Sequence, residues 1–371
     1  MSKFLHRPDK LLYSCLGAAI VSALLMVQAS AGASTDKPRN AGVVELETEG
    51  ASNISVRIAE EIADIVDDGA TRRVLPVVGR GAVQNFSDLA QLRGIDLAIL
   101  QTDVIDYLRQ QRPGTSVTYI TKLYNEEFHL LARPDIQSVA DLAGQTVNID
   151  RPGSGTAITA ARVFDLLKIA ATLSNDTEQV ALERLKKGEI AAIAFVAGKP
   201  APLFNGIDNS QGLHLLSIPL NTKITSAYLP AQLTAADYPG LVRESQPIDT
   251  IAVGAVLAVA NLQPLSDRYR NVANFVETFF TGFQSLLAPG HHPKWRDVNL
   301  AADVPGWKRF PAADQWLKRN AAVAKSSEPD NLKQVFERFI EERLLVAGGK
   351  MSQDQKDDLF NQFRHWQSTQ R

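Results

Sequence analysis

From Val43 onward, short apolar runs alternate with longer stretches in which apolar residues recur every three or four positions. Val43 to Thr48 alternates as a strand does, and Ile54, Ile58, Ile62, Ile65 and Val66 then recur at helical spacing, with the short loop Gly50-Ala51-Ser52-Asn53 between them. The same unit returns as strand Arg73 to Val78, loop Gly79-Arg80-Gly81 and helix Val83 to Leu92. It returns again as strand Ile95 to Leu100, loop Gln101-Thr102-Asp103 and helix Val104 to Arg109. Val117 to Leu123 and Phe128 to Ala132 are two further predicted strands, punctuated by Arg133-Pro134.

A second series begins at Val139. It has a strand over Thr146 to Ile149, a helix over Thr156 to Lys168 with Ile158, Ala161, Phe164 and Leu167 on its apolar side, and a helix over Glu178 to Lys187 ended by Gly188. A strand over Ile190 to Val196 stops at Gly198-Lys199-Pro200, and Leu213 to Ile218 is another. Thr250 to Ala260 is long, apolar and rich in β-branched residues, which suits a buried strand returning to the first series. Tyr269 to Leu287 carries Val272, Phe275, Val276, Phe279, Phe280 and Phe283 on one stripe, as a packing helix would. Strands alternating with helices predict an α/β fold with mixed, mainly parallel sheets. The expected organisation is a first lobe over 41–133, a second over 134–249, a return to the first over 250–325 and a C-terminal helical extension over 326–371.

The first residues follow another pattern. Lys3, Arg7 and Lys10 surround the start of an apolar run from Leu11 to Val27, and Ala29-Ser30-Ala31 has the small-x-small form of a signal peptidase site. Residues 1–31 therefore predict an export signal, cleaved near Ala31 or Ala33, and a periplasmic protein. An uncleaved anchor is the other reading, because the run is near the lower limit for a span. Removing a segment of net charge +2 takes the chain from -2 to -4. The single cysteine, Cys15, lies inside that segment, so the exported chain has no thiol nucleophile, thiolate ligand or disulfide. Acidic and basic residues are nearly balanced and dispersed, which argues against a nucleic acid partner.

In doubly wound sheets a ligand sits beyond the carboxyl ends of the strands, where the next helices point their N-termini. Four loops have that placement here: Gly50 to Asn53, Gly79 to Asn85, Gln101 to Asp103, and Arg151 to Thr156. In the last, Gly153 and Gly155 permit close backbone approach, and Ser154 or Thr156 can cap the helix. Free N–H groups at such a start attract a carboxylate or phosphate, and the same residues also suit an ordinary strand-to-helix turn. No P-loop, dinucleotide fingerprint or nucleophile elbow is present. His129 and His214 stand alone and His291-His292 are adjacent, so no metal site or other cofactor is expected. Glu126-Glu127 suit a cation, acid-base work or structural carboxylates. No catalytic set assembles, and no enzyme is expected.

The segments "GRGAVQNFSDLAQLRGIDLAILQTDV", "VADLAGQTVNIDRPGSGTAITAARVFDLL", "ALERLKKGEIAAIAFVAGKPAPLF" and "IDTIAVGAVLAVA" follow one another as in the TAXI family of solute-binding proteins, the extracytoplasmic receptors of TRAP transporters. The resemblance covers residues 43 to about 320. It implies a two-lobed, type II-like periplasmic binding fold with the ligand cleft between the lobes. It further implies a small anionic ligand, an organic acid or an amino acid, passed to a sodium-driven TRAP-type inner-membrane permease. Carried onto this chain, the ligand-binding positions are Ser52 and Asn53, Gly81 and Asn85, Gln101, Thr102 and Asp103, Ser154, Gly155 and Thr156, and Gly198, Lys199 and Pro200. Within them, the Gly155 and Thr156 amides would hold a carboxylate, oriented by Asn53, Asn85 and Gln101. Lys199 would meet a second carboxylate or stay a solvated loop lysine, and Tyr124 would cover the ligand. The first loop departs from the family pattern, reading Thr48-Glu49-Gly50-Ala51-Ser52-Asn53 with no tyrosine after it. A ligand sensor on the same fold, signalling to a membrane partner without transport, stays open as the alternative.

Overall fold

The computed structural model describes residues 42–50, 53–111, 117–208, 210, 212–321 and 352. The expected signal, Ser52 and all of the expected extension after 326 except Ser352 lie outside the described residues.

Ten strands form one continuous mixed sheet in the order β2-β1-β3-β10-β4-β7-β5-β6, with β8 on β4 and β9 on β10. The first half holds β1 (Val43–Thr48), β2 (Arg73–Val78) and β3 (Leu97–Gln101), all parallel, with helices α1 (Ser55–Val66), α2 (Ala82–Gln91) and α3 (Thr102–Gln111) between and after them. The second half holds β5 (Thr146–Asn148), β6 (Thr172–Ser174) and β7 (Ala192–Ala197), again parallel, with α4 (Gly155–Leu167) and α5 (Glu178–Lys186). Parallel pairing thus holds inside each half. The antiparallel pairs come from β4 (Thr118–Ala132) and β10 (Ile248–Val259), which run through both halves and join them.

β4 is one strand of 15 residues where the sequence predicts two. Its polar middle, Asn125-Glu126-Glu127, stays extended because Ala252, Val253 and Gly254 of β10 pair with it. The pairing is irregular just beyond: Gly254 faces Asn125 and Val256 faces Lys122, so β4 carries a surplus residue there, a β-bulge. β10 is buried over ten consecutive residues, which explains a continuous apolar run in place of alternation. β6, β8 (His214–Leu215) and β9 (Leu229–Leu233) are short pieces, and α6 (Thr222–Thr225) is a single turn.

Each half has its own core. In the first, Ile58 and Ile62 of α1 pack with Phe275 and Phe279 of α7 (Asp267–Gly282) and with Trp295 on one side of the sheet. On the other side Phe86, Leu89, Val104, Ile105 and Tyr119 form a second cluster. α7 starts at the cap Ser266, whose hydroxyl accepts from Tyr269 N at 3.1 Å. The last helix among the described residues covers 311–321. In the second half Val147, Val163 and Phe164 pack on one side, and Phe195, Phe204, Leu215 and Tyr238 on the other. The two crossing strands pass from one set of clusters to the other between Tyr124 and Phe128 and between Ile251 and Ala255.

Candidate functional site

β1, β2, β3 and β5 end on the same seam between the halves, so the loops that follow them meet. Gly81 and Gly153 both have positive φ, 126° and 84°, which disfavours any side chain there. A Cβ on Gly81 would lie 3.0 Å from Gly153 O, and Val83 N donates to that same oxygen at 3.0 Å. The loops touch backbone to backbone. Just beyond, Ser154 caps α4 by accepting from Ala157 N at 3.1 Å. The N–H groups of Gly155 and Thr156 belong to the first turn and have no intrahelical acceptor.

Facing that helix start are the ends of β1 and β3. A Cβ on Gly155 would stand 1.9 Å from Gln101 Oε1 and 2.8 Å from Glu49 Oε1. Glu49 Oε2 accepts from Asn53 Nδ2 at 3.2 Å, Asn53 Oδ1 accepts from Ser55 N at 3.0 Å, and Gln101 Nε2 donates to Glu126. Glu49 Oε1, Gln101 Oε1, Asn125 Oδ1 and the Tyr124 hydroxyl are shut off from solvent with no hydrogen-bond partner among the described residues. Asp150 Oδ1 has only Arg151 Nε, at 3.7 Å.

Burial, reinforced by Glu126, Asp150 and Asp103, pushes the Glu49 carboxyl well above the usual range, against the bond from Asn53. Burial likewise raises Glu126 to about 7, opposed by bonds from Gln101 and Asn53 and reinforced by Glu127 and Asp103. Tyr124 is raised by burial and by Glu126, Glu49 and Glu127. The seam is acidic and short of hydrogen-bond donors.

Other expected site residues are engaged by the protein itself. Asn85 lies under its own loop, donating to Thr48 O at 2.9 Å, and a Cβ on Gly79 would stand 2.1 Å from its Oδ1. Thr156 Oγ1 accepts from Val196 N at 3.0 Å. Lys199 Nζ donates to Gln232 O at 2.7 Å and Asp237 at 2.9 Å, and Lys199-Pro200 is a cis peptide. Gly198 packs against Ile54 and Tyr124, where a Cβ would come within 2.3 Å of Ile54 Cδ1. Asp103 bridges the halves: its Oδ2 accepts from Thr159 Oγ1 of α4 at 2.8 Å and from the Tyr228 hydroxyl at 3.1 Å. Burial raises its carboxyl, against those two bonds. Thr102 faces a different space, a cavity of roughly 520 Å³ on the far side of Asp103 that is also lined by Lys122, Arg162, Tyr228, Gly254 and Trp307. That cavity shares Asp103 with the seam and excludes Glu49, Gln101 and Gly155.

The sequence pattern leaves Glu49 as a mere departure and Glu126 among several readings, and it gives no signal for Lys294. Lys294 donates to Glu127 at 2.6 Å from a buried 3-10 turn, and Lys199 N reaches the other Glu127 oxygen at 3.0 Å. The one available signal is the pair of acids set in a strand that is otherwise almost wholly buried. Among the described residues no group of three or more His, Cys, Asp or Glu is arranged to hold a metal ion. His129 is buried between the Tyr238 hydroxyl, 2.7 Å from Nε2, and Phe195 O, 3.3 Å from Nδ1, and burial lowers its pKa to about 4.

The model of the NMT1-like family matches residues 48–282, which takes in every strand except β1, of which it includes the last residue, and most of the helices. Among solved structures, the chain is similar to the substrate-binding protein of an amino acid ABC transporter, at 14% identity over 69% of this chain and 98% of that one, with a TM-score of 0.42. It is similar to the alkanesulfonate-binding protein SsuA of Xanthomonas axonopodis pv. citri bound to MOPS, at 14% identity over 78% and 94%, with a TM-score of 0.41. A substrate-binding protein of an ABC uptake transporter from Streptococcus pneumoniae with bound histidine shows 13% identity over 68% and 90%, with a TM-score of 0.43.

Proposed function

The chain belongs to the NMT1-like family, and from that premise we propose that it is an extracytoplasmic solute-binding protein whose two halves close on a small organic acid or amino acid. The observation that carries this is the start of α4. Its amides at Gly155 and Thr156 have no intrahelical acceptor, and Gly155 lies against Gln101 and Glu49 beside the meeting of Gly81 and Gly153 from the two halves. A carboxylate there accepts charge-assisted hydrogen bonds worth about 1.5–3 kcal/mol each and gains from the helix dipole. Because those contacts need both halves in place, the solute stabilises the closed arrangement in proportion to the contacts made only there.

In this reading the protein acts in the periplasm and hands its solute to a TRAP-type permease of the inner membrane. The support is the motif order over 43 to about 320 and the export-like first 31 residues. Asn53, Gln101 and Tyr124 line the solute beside Gly155, and Ser154 holds the helix start in place. Asn85, Lys199 and the Thr156 hydroxyl shape the walls.

The test is a thermal-shift screen of the purified protein against dicarboxylates, 2-oxo acids and amino acids. A solute at a hundred times its Kd adds about 2.7 kcal/mol to stability, which a melting curve resolves. A screen without a single hit would refute solute binding. Uptake of the hit by cells that retain the protein but lose the permease would refute the TRAP partner.

A further inference from the structure

The seam has more acceptors than donors. Glu49 Oε1 and Gln101 Oε1 converge on the start of α4, and neither meets a donor among the described residues. Gln101 is 2% exposed and its amide nitrogen is committed to Glu126, so the group cannot help by turning round. Asn53 already serves the other oxygen of Glu49. Asn125 Oδ1 adds a further acceptor, and against these buried acceptors stand only two unpaired hydroxyls, Tyr124 and Ser55, among the described residues.

Nearby cations are engaged elsewhere. Lys294 is held by Glu127 and Asp297 and Lys199 by Asp237, while Arg151, 3.7 Å from Asp150 and with its side chain 44% exposed, reaches the backbone side of Gly50 and makes no ion pair with the Glu49 carboxyl. Buried acceptors left without donors are costly, and buried carboxylates without a counter-charge more so. Whatever fills the seam has to supply N–H groups and positive charge.

We infer that Glu49, Gln101 and Glu126 recognise a protonated primary amine on the solute, so that the protein selects amino compounds over organic acids that lack the amine. This deepens the solute-binding reading and rests on it. An ammonium carries three donors, enough for Glu49 Oε1 and Gln101 Oε1 at once while Glu126 holds Gln101 in register. The amides of Gly155 and Thr156 beside it take the solute's carboxylate. A 2-oxo acid instead sets a third oxygen against two acceptors that already lack donors, and a site built for an amine rejects such an analogue strongly.

The experiment is calorimetric titration of the protein with pairs that differ only in the amine: alanine and pyruvate, aspartate and oxaloacetate, glutamate and 2-oxoglutarate, with putrescine as an amine that has no carboxylate. In at least one pair the amino member should bind at least about tenfold more tightly than its oxo partner. Glu49→Gln should reduce that preference to about threefold or less without lowering the melting temperature of the unliganded protein. Binding of putrescine alone supports the amine site and removes the carboxylate from the site's requirements. An oxo acid that binds as tightly as its amino partner overturns the inference and leaves solute binding standing. So does a preference that survives both Glu49→Gln and Glu126→Gln. No binding by any probe, joined to an empty thermal-shift screen, overturns both.

Discussion

Glu126 and Glu127 are neighbours in sequence with opposite surroundings, because successive residues of a strand point to opposite sides. Glu127 reaches Lys294, and both side chains are 5% exposed. Removing the cation leaves an uncompensated buried carboxylate, so Lys294→Met should cost about 3–5 kcal/mol in denaturant unfolding. Adding Glu127→Gln should restore a large part of that loss. Glu126 has no cation. Its carboxyl is raised from 4.5 to about 7, first by burial. A carboxyl held higher in the folded chain contributes stability fully below 4.5 and loses it as the pH rises through 7. Glu126→Gln should therefore gain stability relative to the parent between pH 5 and pH 8. His129 and His292, both lowered to about 4 mainly by burial, pull the other way in both proteins and cancel in the difference. At this scale the sequence is legible only in part. Two acids in an apolar strand mark an unusual position, yet their partners Gln101 and Lys294 lie 25 and 167 residues away along the chain.

Elements are far more legible than partners, because strand and helix impose different periods on the same apolar residues. β1 and β2 have the predicted limits, and α1, α2, α4 and α5 shift by a residue or less at either end. What failed is instructive. β4 reads as two strands since its polar centre satisfies itself through tertiary contacts that no local pattern records, β6 and β9 go unpredicted, and β8 is only two residues of the predicted run Leu213 to Ile218. The start of α4 is legible as a capped, glycine-flanked turn, but not as a surface pressed against Gln101 and Glu49. A methyl group at Gly155 would collide with both side chains, at 1.9 and 2.8 Å. Gln101 is buried and held by Glu126, so the methyl overpacks the seam at a cost of about 1–3 kcal/mol, and Gly155→Ala should lower the melting temperature of the unliganded protein. It should also lower affinity for the solute found by screening by at least about tenfold, as titration would show.

Across the whole molecule, the halves are tied by contacts that need no solute. Asp103 accepts from Thr159 and Tyr228 across the seam, and Val83 N reaches Gly153 O. Such ties set how much of the population stands closed before a solute arrives. Thr159→Val combined with Tyr228→Phe removes both side-chain donors to Asp103. Small-angle scattering should then show a larger radius of gyration without solute, and a return toward the parent value at saturation. An unchanged radius would mean that Asp103 does not hold the halves together.

If the halves swing as proposed, the two crossing strands are where the chain has to bend. Opposite Gly254 to Val256, β4 has one residue too many, and the register slips again between Leu257 and Ala258. Backbone that is already out of step with its neighbour gives up fewer hydrogen bonds when it bends than a regular stretch does. In the proposed closure the elbow is thus a built-in miscount, seated within three residues of Glu126, so flexing of the joint and capture of a guest would act on the same few atoms.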